Sequence, residues 1–127
     1  MVGQISSFRM PYYNAITQKI GFKYRPALII GLADSGGDFN VLPISKISHR
    51  HNLDANYDIE IDPAQYPSLC LDPRVISYVR AHKTTVAHIS EMGNRKYGNI
   101  KTDYPDLYLE IMTKWETYNR KLMDNAL

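Results

Sequence analysis

Arg25-Pro26-Ala27-Leu28-Ile29-Ile30-Gly31 is the stretch that decides the fold, because an arginine stands directly before a run of apolar and β-branched residues. The run from Pro26 to Leu32 predicts a buried strand. Residues 33–38 are rich in Gly and Asp and predict a tight turn, after which Phe39 to Ile44 predicts the partner strand. The sequence therefore predicts an antiparallel hairpin that sets the first register of a β fold.

The residues before Arg25 predict one strand and one loop. Helix signals are scarce and aromatic residues frequent from about Gly3 to Tyr13, which favours a first strand. The segment from Asn14 to Tyr24 is polar and contains Gly21. We therefore expect a long loop between the first strand and the Arg25 strand.

The residues after the hairpin predict further strands. The segment from Ser45 to Tyr57 is polar without a dominant period and predicts a loop, whereas acids alternate with isoleucines from Asp58 to Asp62. Such alternation is typical of a strand with one wet and one buried face. The stretch after this alternating segment cannot form a long helix, because it contains Pro63, Pro67 and Pro73. Segments 75–80 and 83–87 then predict two strands, or one strand bent between them.

The C-terminal segment predicts an amphipathic helix. Its apolar side chains recur at steps of three and four: Leu107, Ile111, Trp115, Tyr118 and Leu122. Asp103 and Pro105 mark its start. Strands followed by one long helix predict a single domain over residues 1–127, mainly β with a C-terminal α-helix and built as a small antiparallel barrel.

Composition narrows the class of protein. A chain of 127 residues is enough for one core, and a net charge of +2 means that any nucleic-acid contact must come from a local patch. The single cysteine, Cys70, excludes an intrachain disulfide and, between two leucines, predicts a small buried hydrophobe. The N-terminus has no signal-peptide pattern, and no apolar run approaches the ~20 residues of a membrane span. We expect a cytoplasmic protein.

Four residues carry the groups that cleavage of a phosphodiester without a metal requires. The guanidinium forks of Arg25 and Arg80 suit the non-bridging phosphate oxygens, and Ser45 can donate a hydrogen bond to the same phosphate. His82 follows Arg80 by two residues, so it is expected on the same strand face, where an imidazole of pKa near ~6.5 suits proton transfer. A structural interpretation stays open, in which Arg80 and His82 form ion pairs with an acidic neighbour such as Asp58.

Other basic and aromatic residues favour an RNA surface over a metal site. His49, Arg50 and His51 are expected in a solvated or RNA-facing patch, because no third metal ligand has a suitable spacing. Lys19, Lys23 and Tyr24 are expected to line the entrance of a phosphate site, since basic and aromatic side chains together bind single strands. No metal or other cofactor is expected.

Short motifs along the chain resemble the PemK/MazF family of toxin ribonucleases. They are Arg25-Pro26, Pro43-Ile44-Ser45, Leu71-Asp72-Pro73 and Val79-Arg80. The resemblance implies an SH3-like barrel, a homodimer, and metal-independent cleavage of single-stranded RNA to a 2′,3′-cyclic phosphate and a 5′-hydroxyl. It also implies an inhibitory antitoxin whose disordered tail folds into the RNA groove. The family's catalytic arginine and strand-end hydroxyl correspond to Arg25 and Ser45.

The chain departs from the family at two places. Some members carry an acid two residues after the Val-Arg pair, where this chain has His82, and the loop at residues 14–21 differs from the family pattern. Two other interpretations stay open. One is a non-catalytic toxin resembling the gyrase poison CcdB, in which Trp115 engages a protein target. The other is an RNA-binding module without activity.

Overall fold

The computed structural model describes residues 1–32, 36–47 and 50–127. Within these ranges the strands are β1 Gln4–Asn14, β2 Lys19–Leu32, β3 Asp38–Ser45, β4 Asp58–Ile61, β5 Ser77–Arg80, β6 Thr85–His88 and β7 Met92–Asn99. The helices are α1 Ile100–Asp103 and α2 Pro105–Ala126, and 3₁₀ turns stand at Arg50–Asn52, Pro67–Leu69 and Ile89–Glu91. No helix in the described ranges has both the length and the apolar character that crossing a membrane would require.

The strands form one antiparallel sheet in the order β4-β5-β3-β2-β1-β7, and β6 also pairs with β3. The sheet curls into a half-barrel around the main core, and α2 follows as the last element. The predicted fold class, mainly β with a C-terminal helix, is confirmed.

A long hairpin of β1 and β2 replaces the loop expected from Asn14 to Tyr24, and that expectation was wrong. The two strands stay paired from Ile5 opposite Leu28 to Asn14 opposite Lys19. Cations lie over aromatic rings along the hairpin, with the Arg9 guanidinium 4.0 Å from the Phe22 ring centroid. Much of the outer hairpin is exposed on both faces, so its side chains show none of the apolar alternation of a half-buried strand.

The segments predicted after the first hairpin form separate strands. The strand expected over Phe39–Ile44 is β3, and the acid–isoleucine alternation is β4. Segments 75–80 and 83–87 contain β5 and β6, which both pair with β3. The sequence did not predict β7 and α1, because Met92–Asn99 is polar, contains two glycines and lacks an apolar period.

Helix α2 closes the main core by burying Leu107 and Ile111 against the sheet. Full burial of a side chain of this size contributes about 1.5–3 kcal/mol. Trp115 packs against the same core, and its indole Nε1 donates a hydrogen bond to Thr84 Oγ1 at 2.8 Å. The predicted apolar stripe therefore holds the helix on the sheet from Leu107 to Tyr118, whereas its last predicted member, Leu122, is exposed.

Cys70 is exposed, which corrects the expectation of a buried thiol. It ends the 3₁₀ turn at Pro67–Leu69 with a left-handed backbone conformation, at φ 60°. The chain therefore turns between Leu69 and Leu71, and both leucines point into the core while the thiol points outward. The apolar neighbours are buried, but the residue between them is not.

Candidate functional site

The strand register brings Arg25, Ser45 and Arg80 to one face of the sheet. Ala27 on β2 pairs with Pro43 on β3. Arg25 lies two residues before Ala27, and Ser45 lies two residues after Pro43. Ser45 in turn pairs with Tyr78 on β5, and Arg80 lies two residues beyond Tyr78. Because residues two apart on a strand share a face, three adjacent strands present these side chains together.

A cleft of about 410 Å³ opens over these three residues and is here called the cationic cleft. Its basic lining residues are Arg25, Lys46, Arg80 and Lys83. Ser45 and the polar residue Asn52 complete much of the wall. A concave surface with several fixed positive charges attracts anions such as phosphate groups.

A second cleft of about 300 Å³, here the central cleft, adjoins the first and shares Arg25, Ser45 and Lys46 with it. It adds two cations, Lys23 and Arg95, and two phenol rings, Tyr24 and Tyr97. The two clefts together form a groove, and cations dominate its lining.

Asp72 is the acidic residue among those lining the groove in the described part of the chain. Hydrogen bonds from the side chain and the backbone N–H of Arg74 lower the pKa of Asp72 to about 2. The carboxylate is therefore ionised at neutral pH and is a very weak proton acceptor. It offsets one positive charge of the groove and is poorly suited to acid or base chemistry there.

The two arginines of the groove differ in their partners. Within the described residues, Arg25 makes no ion pair and donates no side-chain hydrogen bond, whereas Arg80 is held in place. Arg80 Nε donates to Asp58 Oδ1 at 3.0 Å, and Arg80 Nη2 donates to the backbone carbonyl of Asn52 at 3.0 Å. The charge of Arg25 is thus available to an external anion, while that of Arg80 is partly balanced.

Asp58 anchors Arg80 from the neighbouring strand β4. Its side chain is fully buried, and its Oδ2 accepts a hydrogen bond from the backbone N–H of Asp54 at 2.8 Å. This is the acidic neighbour that the structural interpretation of Arg80 required. Arg80 nevertheless lines the cationic cleft, so the ion pair fixes its position at the wall.

His82 is not a lining residue of the groove, and the expectation that it shares one with Arg25 is corrected. Its side chain is 10% exposed and packs against the rings of Tyr57 and Tyr118, each centroid 5.9 Å away. Strand β5 ends at Arg80, so strand alternation no longer directs the side chain two residues later. His82 instead packs beside helix α2.

Burial lowers the pKa of His82, and the attraction of the Asp58 carboxylate only partly opposes this. The imidazole Nδ1 is buried, has no hydrogen-bond partner in the described part of the chain, and lies 3.8 Å from Asp58 Oδ1. In the folded protein the imidazole is therefore neutral at pH 7.

We expect His82 to make stability depend on pH below about 6.5, the ordinary histidine pKa. The unfolded chain takes up a proton there that the folded chain resists. The stabilisation that neutral His82 provides is thus fully present above about pH 6.5. It is lost as the pH falls through the lowered pKa of the folded state. His82→Phe keeps an aromatic ring against the two tyrosines and cannot be protonated. Urea unfolding between about pH 5 and 7 should show a shallower pH dependence for this variant, and identical slopes would contradict the assignment.

The other residues expected at an RNA surface divide into two groups. Lys23 and Tyr24 line the central cleft, whereas Lys19 lies at the far end of the hairpin and Arg50 in a 3₁₀ turn, and neither lines the groove. His49 lies outside the described residues. Across those that are described, no three His, Cys, Asp or Glu side chains gather closely enough to hold a metal ion.

Several groove residues were not predicted as site residues, among them Lys46, Lys83, Arg95 and Tyr97. Lys46 directly follows Ser45, and that adjacency was an available signal. Arg95 and Tyr97 lie on β7, whose pairing with β1 brings them to the groove from the far end of the sequence. No pattern in the residues around Arg95 and Tyr97 indicates that β7 pairs with β1.

A solved structure described as Mycobacterium tuberculosis toxin MazF-mt6 matches this fold with a TM-score of 0.55. The match covers 89% of this chain and 96% of the other, at 16% sequence identity. No protein-family model matches the sequence, and none of the curated proteins is detectably similar to it. The chain therefore has a MazF-like fold, and at this identity the likeness establishes the fold alone.

Proposed function

We propose that this protein is the toxin of a type II toxin–antitoxin system and acts as an endoribonuclease on single-stranded RNA. The observation that carries the proposal is the position of Arg25, which has no ion pair among the described residues, beside a strand-end hydroxyl, Ser45, in a groove lined by further cations. The MazF-like fold supports the proposal. The short motifs that resemble the PemK/MazF family imply the same two residues as its catalytic arginine and hydroxyl.

In the proposed reaction the ribose 2′-hydroxyl gives its proton to water as its oxygen attacks phosphorus, and the P–O5′ bond breaks as the 5′-oxygen takes up a proton from water. The products are a 2′,3′-cyclic phosphate and a 5′-hydroxyl. Negative charge builds on the non-bridging oxygens as the phosphorane forms. Arg25 neutralises that charge and Ser45 donates a hydrogen bond to the same phosphate. Arg80, oriented by Asp58, and Lys46 add positive charge from the wall. His82 has no step in this reaction.

Single-stranded RNA is the substrate that the groove suits best. The Tyr24 ring is 59% exposed, and Tyr97 lies in the same lining. Exposed aromatic rings beside cations bind unpaired bases by stacking, whereas the base faces of a duplex are already covered by their neighbours. The proposal therefore excludes regular double helices as substrates.

The proposed partners are a homodimer copy and an antitoxin. A cationic groove with apolar walls accepts an acidic segment that carries apolar side chains, and such a segment would compete with RNA for the same surface. A CcdB-like mode through Trp115 is not favoured, because that indole already donates to Thr84 and packs on the core.

The test is incubation of the purified protein with a defined single-stranded RNA in EDTA, followed by end-group analysis of the fragments. We expect cleavage to fragments with cyclic phosphate and 5′-hydroxyl ends, since the proposed chemistry uses no metal. A duplex of the same sequence serves as the control and should stay intact. RNA binding that weakens with salt but yields no fragments would instead indicate a binding module.

A further inference from the structure

A third cleft, of about 360 Å³, opens beside strand β7 and is here called the β7 cleft. It shares Tyr24, Arg95 and Tyr97 with the central cleft, so it continues the groove away from Ser45. Asn94 and Gly93 belong to the β7 cleft alone. Its volume lies within the roughly 300–1,000 Å³ of small-molecule sites.

Gly93 shapes the floor of this cleft. A Cβ at Gly93 would overlap the hydroxyl oxygen of Ser7 and would lie 2.9 Å from Cδ1 of the Tyr24 ring. The absence of a side chain therefore lets the Tyr24 ring lie directly on the β7 backbone. A ring supported in this way is fixed in orientation and offers a flat apolar surface to the cleft.

Asn94 provides the polar group beside that surface. Its side chain is exposed, and its amide makes no hydrogen bond to any residue that the structure describes. On the next residue, the Arg95 guanidinium lies over the Tyr97 ring, 4.8 Å from its centroid. The cleft thus combines a fixed ring, a second ring covered by a cation, and one free amide with a donor and an acceptor.

We propose that the β7 cleft binds one unpaired nucleobase of the RNA, with Tyr24 stacking on its face and Asn94 bonding to its edge. The inference rests on the proposed ribonuclease function and adds a determinant of sequence preference to it. Stacking is tolerant of every base, whereas an amide that bonds to the base edge distinguishes one base from another. The bound base belongs to a nucleotide close to the scissile phosphate, because the two clefts share their walls.

A nucleobase fits the cleft better than a second phosphate does. The lining includes one cation, Arg95, and that guanidinium is already placed over a ring. A phosphate site would need several donors that converge on one point. A flat heterocycle needs one apolar face and one polar edge, and the β7 cleft offers both.

The test uses one pool of single-stranded RNA with randomised positions, scored both for sequences retained by the protein and for sequences cleaved. The variants are Asn94→Ala, which removes the amide, and Asn94→Asp, which only accepts hydrogen bonds. Asn125→Ala, an exposed position on α2, is the matched control. We expect a preference of roughly 5- to 150-fold for one base at one position in the parent and the control. Asn94→Ala should lose it, and Asn94→Asp should shift it toward bases with an amino group, such as cytosine.

Each outcome of this experiment is decisive for the inference. Cleavage by the parent with the same preference in all variants would overturn the base site and leave the proposed function standing. Retention that depends on Asn94 without any cleavage would support the base site and reject the ribonuclease. No retention of RNA by the parent would reject both. A general loss of binding at all positions in Asn94→Ala would also overturn the inference, because a base contact acts at one position.

Discussion

Replacing Arg25 with alanine should slow RNA cleavage by about 10²–10³-fold while leaving the protein folded. Arg25 lines both adjoining clefts, and within the described residues its guanidinium has no ion pair to lose. Its removal therefore costs little stability but removes the charge that opposes the developing phosphorane. Single-turnover cleavage of a defined RNA measures the rate, and circular dichroism with urea unfolding checks the fold.

Two further variants make this prediction specific. Arg25→Lys keeps a positive charge but loses the planar fork that can bond two phosphate oxygens, so its rate should lie between those of the parent and the alanine variant. Arg120→Ala removes an exposed arginine on α2 that pairs with Glu116, and the rate should stay unchanged. Equal cleavage rates for Arg25→Ala and Arg120→Ala would remove Arg25 from the proposed site.

Replacing Asp58 with alanine should lower the free energy of unfolding by about 3 kcal/mol, the low end for breaking a buried ion pair. The Asp58 side chain is fully buried, and the Arg80 side chain is 22% exposed, so removal of the carboxylate leaves a largely desolvated guanidinium. The backbone N–H of Asp54 also loses its acceptor. Urea unfolding near pH 7 measures the change.

The Asp72–Arg74 pair provides the matched comparison. It has the same two residue types and a similar Nε–Oδ1 distance, 3.1 Å against 3.0 Å, but the Arg74 side chain is 84% exposed. Removal of the Asp72 carboxylate therefore leaves a guanidinium that water solvates, so Asp72→Ala should change stability little. If both alanine variants were equally stable, burial would not be what makes the Asp58–Arg80 pair important.

Most strands and the long helix could be predicted because their signals are local. The apolar run after Arg25 indicates a strand that is buried on both faces. The acid–isoleucine alternation of β4 and the three-and-four spacing on α2 each indicate one buried face. Strand β7 and the outer β1–β2 hairpin bury little, so their sequences carry no such period. Pairing with a neighbour defines them, and pairing is not visible in a single segment.

The candidate site likewise contains residues that local motifs predicted and one, His82, whose position they did not predict. Ser45 ends β3, whereas Arg25 lies in the middle of β2 and not at the strand start that the sequence predicted. A short motif marks each of them, and the register then places them side by side. The position of His82 depends on where β5 ends and on the rings of Tyr57 and Tyr118, which come from distant parts of the chain. Spacing along a strand predicted the wrong side for this imidazole because the strand had already ended.

Residues close together in the chain specify the β class, the C-terminal helix and the short motifs that contain Arg25 and Ser45. Three features follow from the packing of the whole chain instead: Arg80 is bound to Asp58, His82 is buried, and Arg95 and Tyr97 join the groove. The physical reason is that burial and electrostatic partners depend on which strands lie side by side. That order is a property of the whole sheet and not of any one strand.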